Sequence, residues 1–208
     1  DNKELKTVAT DSHRMSQKVI TLEKNGDNFD VVIPSRSLRE FTSVFSDDIE
    51  TVEVFFANNQ ILFRSEHISF YTRLLEGNYP DTDRLIPTEF NTEATFNVAN
   101  LRFAMERARL LSNATQNGTV KLEFKNGVVS SHVHSPEVGR VNEEIDTNAV
   151  SGEDLSISFN PTYLIEALKA IDSEQVVIRF ISSVRPFTLV PEGNEQGFIQ
   201  LITPVRTN

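Results

Sequence analysis

Cysteine is absent from all 208 residues. Its absence excludes a disulfide framework, a thiolate zinc site and a cysteine nucleophile, and it fits a reducing cytosol. No stretch approaches the roughly 20 consecutive apolar residues that a membrane-spanning helix requires. The charged start, Asp1-Asn2-Lys3-Glu4, is not a secretory signal. No glycine-rich phosphate loop is present, which counts against nucleotide hydrolysis. Positive charge is in deficit as well: 20 Lys and Arg against 30 Asp and Glu give a net charge of −10 and a pI near 4.9. Spread evenly, that balance opposes binding to a phosphate backbone. A surface segregated into acidic and basic faces escapes the argument, because net charge does not register it.

What the chain does contain is dominated by strand signals. Val19–Leu22 and Phe29–Ile33 flank Lys24-Asn25-Gly26-Asp27 and read as a hairpin on an Asn-Gly turn. Val120–Phe124 and Val128-Val129 flank Asn126-Gly127, and Val52–Phe56 and Ile61–Phe63 flank Asn58-Asn59. Hairpins of this kind give antiparallel sheets. Three helices are expected among them. Ser37-Leu38-Arg39-Glu40 has capping-box spacing ahead of Phe41 and Phe45. Asn97 or Asn100 can cap a helix with Leu101, Met105, Ala108 and Leu111 on one face, and Asn160-Pro161 opens a third helix carrying Leu164, Leu168 and Ile171. The class is therefore α+β.

The length permits one large domain or two ordinary ones. A strand-helix-strand-strand order follows both Val32-Ile33-Pro34 and Ser158-Phe159-Asn160-Pro161, which reads as two copies of one domain, with fortuitous similarity as the alternative. The break between the copies falls between Pro80 and Glu93, where prolines interrupt the periodicity. Glu4–Thr10 already reads as a strand in a chain that starts without methionine, so the chain looks entered part-way; it also stops on its own last strand, Phe198–Ile202, which points to an end that is used.

Several constellations carry possible chemistry. In Thr10-Asp11-Ser12-His13-Arg14, a hydrolase would use Asp11 and His13. A catalytic triad, however, converges from separate elements, and no glycine-flanked serine elbow is present. The competing readings are a polar turn whose Asp11 and Thr10 bond local backbone, and a binding surface. His132 and His134 share one strand face, but a metal site needs a further ligand. Arg102, Arg107 and Arg109 sit on one helix with only Glu106 opposing them, and Arg36 and Arg39 open another. These make either solvated faces or phosphate-facing surfaces that carry no sequence information.

Val8-Ala9-Thr10-Asp11-Ser12-His13-Arg14 and the ending Leu201–Arg206 together resemble the bacterial DNA sliding clamp family, the β subunit of DNA polymerase III, in its Gram-positive form. Glu76-Gly77-Asn78-Tyr79-Pro80-Asp81 and Arg107–Asn113 are similar to two further family segments, and all four stand in the family's order. The resemblance covers nearly the whole chain. It implies a DNA clamp fold of repeated domains, each with antiparallel sheets and two helices. Residues 1–87 would be an N-terminally incomplete second domain and 88–208 the third of three per subunit.

The resemblance also implies a peptide-binding pocket. It would comprise Thr10, Ser12, His13, Arg14, Met15, Pro80, Arg84 and Leu85, with Pro186, Leu201, Thr203, Pro204, Val205 and Arg206. The family's ligand is a short linear segment with a glutamine and large apolar side chains. Ser12 stands where many members have glycine, which puts the tightest backbone approach at that turn in question. Arg36, Arg39, Arg102, Arg107 and Arg109 would face DNA, and Leu110 and Leu111 would face a second subunit.

No catalytic residue, cofactor or metal is implied. The implied partners are encircled double-stranded DNA without sequence preference, the catalytic subunit of polymerase III, the clamp loader, and mismatch-repair proteins and other polymerases bound through short motifs. A homodimeric ring is expected at full length and a monomer for this chain, in the nucleoid-associated cytoplasm and away from membranes. The rival reading is a β-rich interaction module without DNA contact.

Overall fold

The computed structural model describes residues 3–23, 26–45, 49–112, 118–135, 139–194 and 197–206. In chain order the elements are β1 (Glu4–Thr10), β2 (Arg14–Thr21), α1 (Ser35–Val44), β3 (Glu53–Ala57), β4 (Gln60–Arg64), β5 (Ser69–Arg73), a 3-10 turn (Asp83–Leu85), β6 (Thr92–Asn97), α2 (Val98–Ser112), β7 (Val120–Lys125), β8 (Val128–Ser135), β9 (Gly139–Ile145), β10 (Ala149–Gly152), β11 (Leu155–Phe159), α3 (Pro161–Lys169), β12 (Gln175–Phe180), β13 (Phe187–Pro191) and β14 (Phe198–Ile202). Every strand pair is antiparallel. The fold is α+β, as the sequence indicates.

Packing divides the chain into two compact units. The larger joins residues 3–24 to 82–208, and the smaller spans 25–81. In the larger unit a seven-stranded sheet runs β1-β2-β14-β13-β12-β6-β10, and a four-stranded sheet runs β11-β7-β8-β9. Apolar residues of both sheets and of α2 and α3 form one buried cluster that includes Phe96, Met105, Leu122, Phe159, Leu164, Phe180 and Phe187. The alternation of β7 produces this directly: Val120, Leu122 and Phe124 point into the core while Lys121 and Lys125 point out.

The helix starts follow the capping signals. Asn97 Oδ1 accepts the Asn100 N–H at 3.0 Å, and Asn160 Oδ1 accepts the Thr162 N–H at 2.9 Å with Pro161 in the first turn. The β7–β8 hairpin turns on Asn126 and Gly127 at φ of 52° and 79°, the conformation that an Asn-Gly pair suits.

The smaller unit has the three-stranded sheet β3-β4-β5 and, among the described residues, a single α-helix, α1. Phe41 of α1 lies on Phe63 (4.6 Å) and Phe70 (6.1 Å) of that sheet. Two expectations are corrected here. The helix begins at Ser35 after Pro34 with no side-chain cap, and the Ser37 hydroxyl bonds Thr72 Oγ1 at 2.8 Å instead of capping. Phe29–Ile33 is not the second strand of a hairpin with Val19–Leu22. β2 already has β1 on one edge and β14 on the other, so no edge is left for it; the segment keeps one bridge, Val32 to Leu75. The expected turn residues Lys24 and Asn25 lie outside the described residues.

Candidate functional site

The two ends of the sequence motif meet through one strand pairing. β14 lies beside β2 with Leu201 opposite Met15 and Ile202 opposite Arg14. Met15 and Leu201 are both buried, so this ladder is anchored by apolar packing as well as by its hydrogen bonds. Beyond the strand end, the His13 carbonyl accepts from both the Thr203 N–H (2.9 Å) and the Thr203 hydroxyl (2.8 Å). Two residues later the Val205 N–H donates to the Ser158 carbonyl at 2.7 Å. The segment 203–205 is thereby held between the turn after β1 and the end of β11. Pro204 and Val205 are half-buried and Arg206 is exposed. Pro186 precedes Phe187, which pairs with Ile202, so it lies at the same end of the sheet as Thr203.

The turn from Thr10 to Arg14 is built from its own polar side chains. Thr10 Oγ1 donates to the Arg14 carbonyl at 2.8 Å. One carboxylate oxygen of Asp11 accepts the N–H groups of His13 and Arg14, each at 3.1 Å, and the other accepts Arg14 Nε at 2.9 Å. This is the polar-turn arrangement. Asp11 bonds the backbone of His13, so the pairing a hydrolase would need between that carboxylate and the His13 ring is not made. Partial burial pushes the Asp11 carboxyl up, but the hydrogen bonds from Arg14 and His13 outweigh it and leave the group below its ordinary 3.8. A depressed folded value means that the stabilisation is present above the ordinary carboxylate range and is lost as pH falls through the folded value. We expect the Asp11 carboxyl carbon to titrate below pH 3.8 by NMR, and a midpoint above it would contradict this bonding.

Ser12 takes a left-handed φ of 72°. The residue that stands in place of a common glycine therefore keeps a glycine-like conformation. Such a conformation costs a residue with a Cβ of order 1–2 kcal/mol, and glycine returns part of that in unfolded-chain entropy. Ser12→Gly is expected to stabilise the chain by roughly 0.5–1 kcal/mol in urea unfolding. A loss of stability would show that the Ser12 side chain contributes more than its strain.

The third wall of the site was not singled out in the sequence. Tyr163 and Glu166 lie one turn apart on α3, on the same helix face. The Tyr163 ring stacks with His13 (6.0 Å, 14° between planes) and lies 4.8 Å below the Arg14 guanidinium, while Glu166 accepts from Arg14. Partial burial pulls the Arg14 pKa down, but the bonds to Glu166 and Asp11 outweigh it and leave the group above its ordinary value. The spacing of Tyr163 and Glu166 is visible in the sequence; what they face is decided by the β2–β14 pairing.

The other expected residues are placed as follows. The 3-10 turn that carries Arg84 and Leu85 is joined to β1 by the ion pair of Lys6 and Asp83, and Leu85 is exposed. Pro80 belongs to the 25–81 unit. Arg36 and Arg39 sit exposed on α1, with Arg36 paired to Glu40. On α2, Arg102 lies 3.9 Å from Glu106, Arg107 pairs with Glu143 of β9, and Arg109 has no ion pair among the described residues. The hydrogen bonds that Arg107 donates to Glu143 raise its pKa. Leu110 is 73% exposed, whereas Leu111 turns inward against the core. Asn113 lies outside the described residues. Both His132 nitrogens are used within the sheet, by Ser130 Oγ at 2.9 Å and Asn142 Oδ1 at 2.8 Å. Among the described residues no group of three His, Asp or Glu side chains could hold a metal ion. No helix there is long and apolar enough to cross a membrane.

Comparison with known proteins shows the family. The model of the C-terminal domain of the DNA polymerase III beta subunit matches residues 83–206, and that of its central domain matches residues 1–81. The chain is 80% identical over 207 residues to the beta sliding clamp of Streptococcus pneumoniae, covering 100% of this chain and 55% of that protein. It is 56% identical to the beta sliding clamp of Lactococcus lactis, over 99% of this chain and 54% of that protein. The crystal structure of the DNA polymerase sliding clamp from Bacillus subtilis superposes with a TM-score of 0.95 at 37% identity, over 100% of this chain and 55% of that one. The chain thus spans about half the length of the curated relatives it matches.

Proposed function

We infer, because the chain belongs to the DNA polymerase III beta-subunit family, that it is part of a DNA polymerase sliding clamp and works as a tether without chemistry of its own. In this reading residues 1–87 and 88–208 are the second and third clamp domains of a longer subunit. Two such subunits close around duplex DNA, and this chain alone is a monomer. The rival reading, a β-rich interaction module without DNA contact, is not favoured by family membership.

The observation that carries the proposal is the double hydrogen bond from Thr203 to the His13 carbonyl. It makes residues 10–15 and 201–206, from opposite ends of the sequence, one surface. Pro204 and Val205 supply its apolar part over the buried pair Met15 and Leu201, and His13 and Arg206 supply donors. Such a surface suits a short extended segment with apolar anchors and a polar side chain to orient it. Its occupants would be the catalytic subunit of polymerase III, the clamp loader, and mismatch-repair proteins and other polymerases. Bound there, a polymerase stays at a high effective concentration near the template and rebinds before it diffuses away. Arg36, Arg39, Arg102, Arg107 and Arg109 would face the DNA backbone. The glutamates beside Arg36, Arg102 and Arg107 offset part of their charge, which favours loose contact that permits sliding. The proposed location is the nucleoid-associated cytoplasm.

The test is titration of a fluorescent Gln-x-x-Leu-x-Phe peptide into this chain and into its Pro204→Ala/Arg206→Ala variant. Saturable micromolar binding, weakened about tenfold or more in the variant, is the expected result. Equal binding by both proteins would place the ligand elsewhere.

A further inference from the structure

Arg14 is the best-satisfied cation of the site, and its environment differs from that of a donor waiting at a rim. Its Nε donates to Asp11, a terminal nitrogen donates to Glu166, and its flat face covers Tyr163 at 4.8 Å. A guanidinium offers a planar fork and two faces. Here two of its five N–H groups, on two different nitrogens, and one face are engaged within the protein. Whatever donors it leaves for a ligand, its side chain joins the turn after β1 to α3.

That turn has its own hydrogen bonds and an external tie besides. It contains Ser12 at a left-handed φ, a conformation that the side chain itself disfavours. It also presents the His13 carbonyl, the acceptor that holds Thr203 and so one of the two anchors of the 203–205 segment. A loosened turn would move the His13 carbonyl and the Thr203 bonds together. Isolated exposed ion pairs contribute little, but Arg14 bridges two carboxylates over an aromatic ring, and such a network is the recognised exception.

We propose that Asp11 and Glu166 are positioning residues for the peptide surface, acting through Arg14 to fix the 10–14 turn against α3. The proposal rests on the peptide-surface reading above and adds α3 to it as the element that sets the surface's geometry. Glu166 is half exposed, so the chain is expected to fold without its charge.

The test compares wild type with Glu166→Gln, Glu166→Asp, Arg14→Gln and the Glu166→Gln/Arg14→Gln double variant. Two readouts are taken: hydrogen exchange at Arg14 Nε–H and at the Thr203 amide, and affinity for the Gln-x-x-Leu-x-Phe peptide. We expect Glu166→Gln to speed both exchanges and to weaken the peptide roughly tenfold, the scale of coupling within one ion-pair network. Glu166→Asp should recover part of the loss, and the double variant should be no weaker than Arg14→Gln alone. Unchanged exchange in Glu166→Gln would overturn the proposal, including the case where affinity falls, since that would make Glu166 a direct ligand contact. If wild type does not bind the peptide, the functional reading fails, and the exchange rates alone then decide whether the Arg14 tie exists.

Discussion

Phe187→Ala is expected to lower the unfolding free energy of the larger unit by about 3–5 kcal/mol, the usual cost of emptying a buried phenylalanine site. Phe187 is fully buried, with its ring 5.1 Å from Phe159 and 5.2 Å from Phe180. Those rings belong to β11 and β12, one in each sheet. The cavity would therefore open where the two sheets and α3 share one core, a place that cannot collapse without moving a strand. Phe187 also pairs with Ile202 of β14, the strand that carries the proposed binding surface. Urea unfolding monitored by circular dichroism gives the number directly. A loss below about 1 kcal/mol would mean that the three rings do not pack as described.

Hydrogen exchange should separate the two compact units by a wide margin. In 25–81 the buried apolar side chains among the described residues are Phe45 and Ile61, and α1 buries none. The larger unit holds the entire extended cluster, from Ala94 to Ile202. All five residues of β3 are exposed, and among the described residues only β4 pairs with it. Protection follows buried apolar contact, and regions without it open by local rather than global unfolding. Amides of β3–β5 are therefore expected to exchange faster than those of β12 and β13 by roughly two orders of magnitude or more, which corresponds to only about 3 kcal/mol. Equal protection in the two units would contradict the packing described for 25–81.

Sequence and structure agree most closely where a local interaction settles the conformation. Asn160-Pro161 and Asn97 start helices because their side chains bond N–H groups only two or three residues away, and Asn126-Gly127 turns a hairpin because both residues accept positive φ. The failures are non-local. Phe29–Ile33 has the composition of a strand but finds β2 occupied on both edges, a fact set by β14 at the far end of the chain. Ser37 has capping spacing, yet its hydroxyl meets Thr72 on another element. Leu111, by contrast, turns inward as its helical spacing with Leu101, Met105 and Ala108 indicates, which leaves Leu110 outside.

The site divides in the same way. The motif residues 10–15 and 201–206 stand out in the sequence through the family they resemble. The bond of Arg14 to Asp11 is local to the turn, whereas its bond to Glu166, and the Tyr163 ring supplied by α3, follow from tertiary placement. The depressed Asp11 carboxyl follows from it in part, through the ties that hold Arg14.

The most direct test of the account is to map a Gln-x-x-Leu-x-Phe peptide onto the isotope-labelled chain by NMR. The predicted result is saturable shifts confined to the amides of residues 10–15, 84–85 and 187, the first turns of α3 and residues 200–206. Shifts elsewhere, or none at peptide concentrations well above the micromolar range, would contradict the claim that the two ends of this sequence build one binding surface.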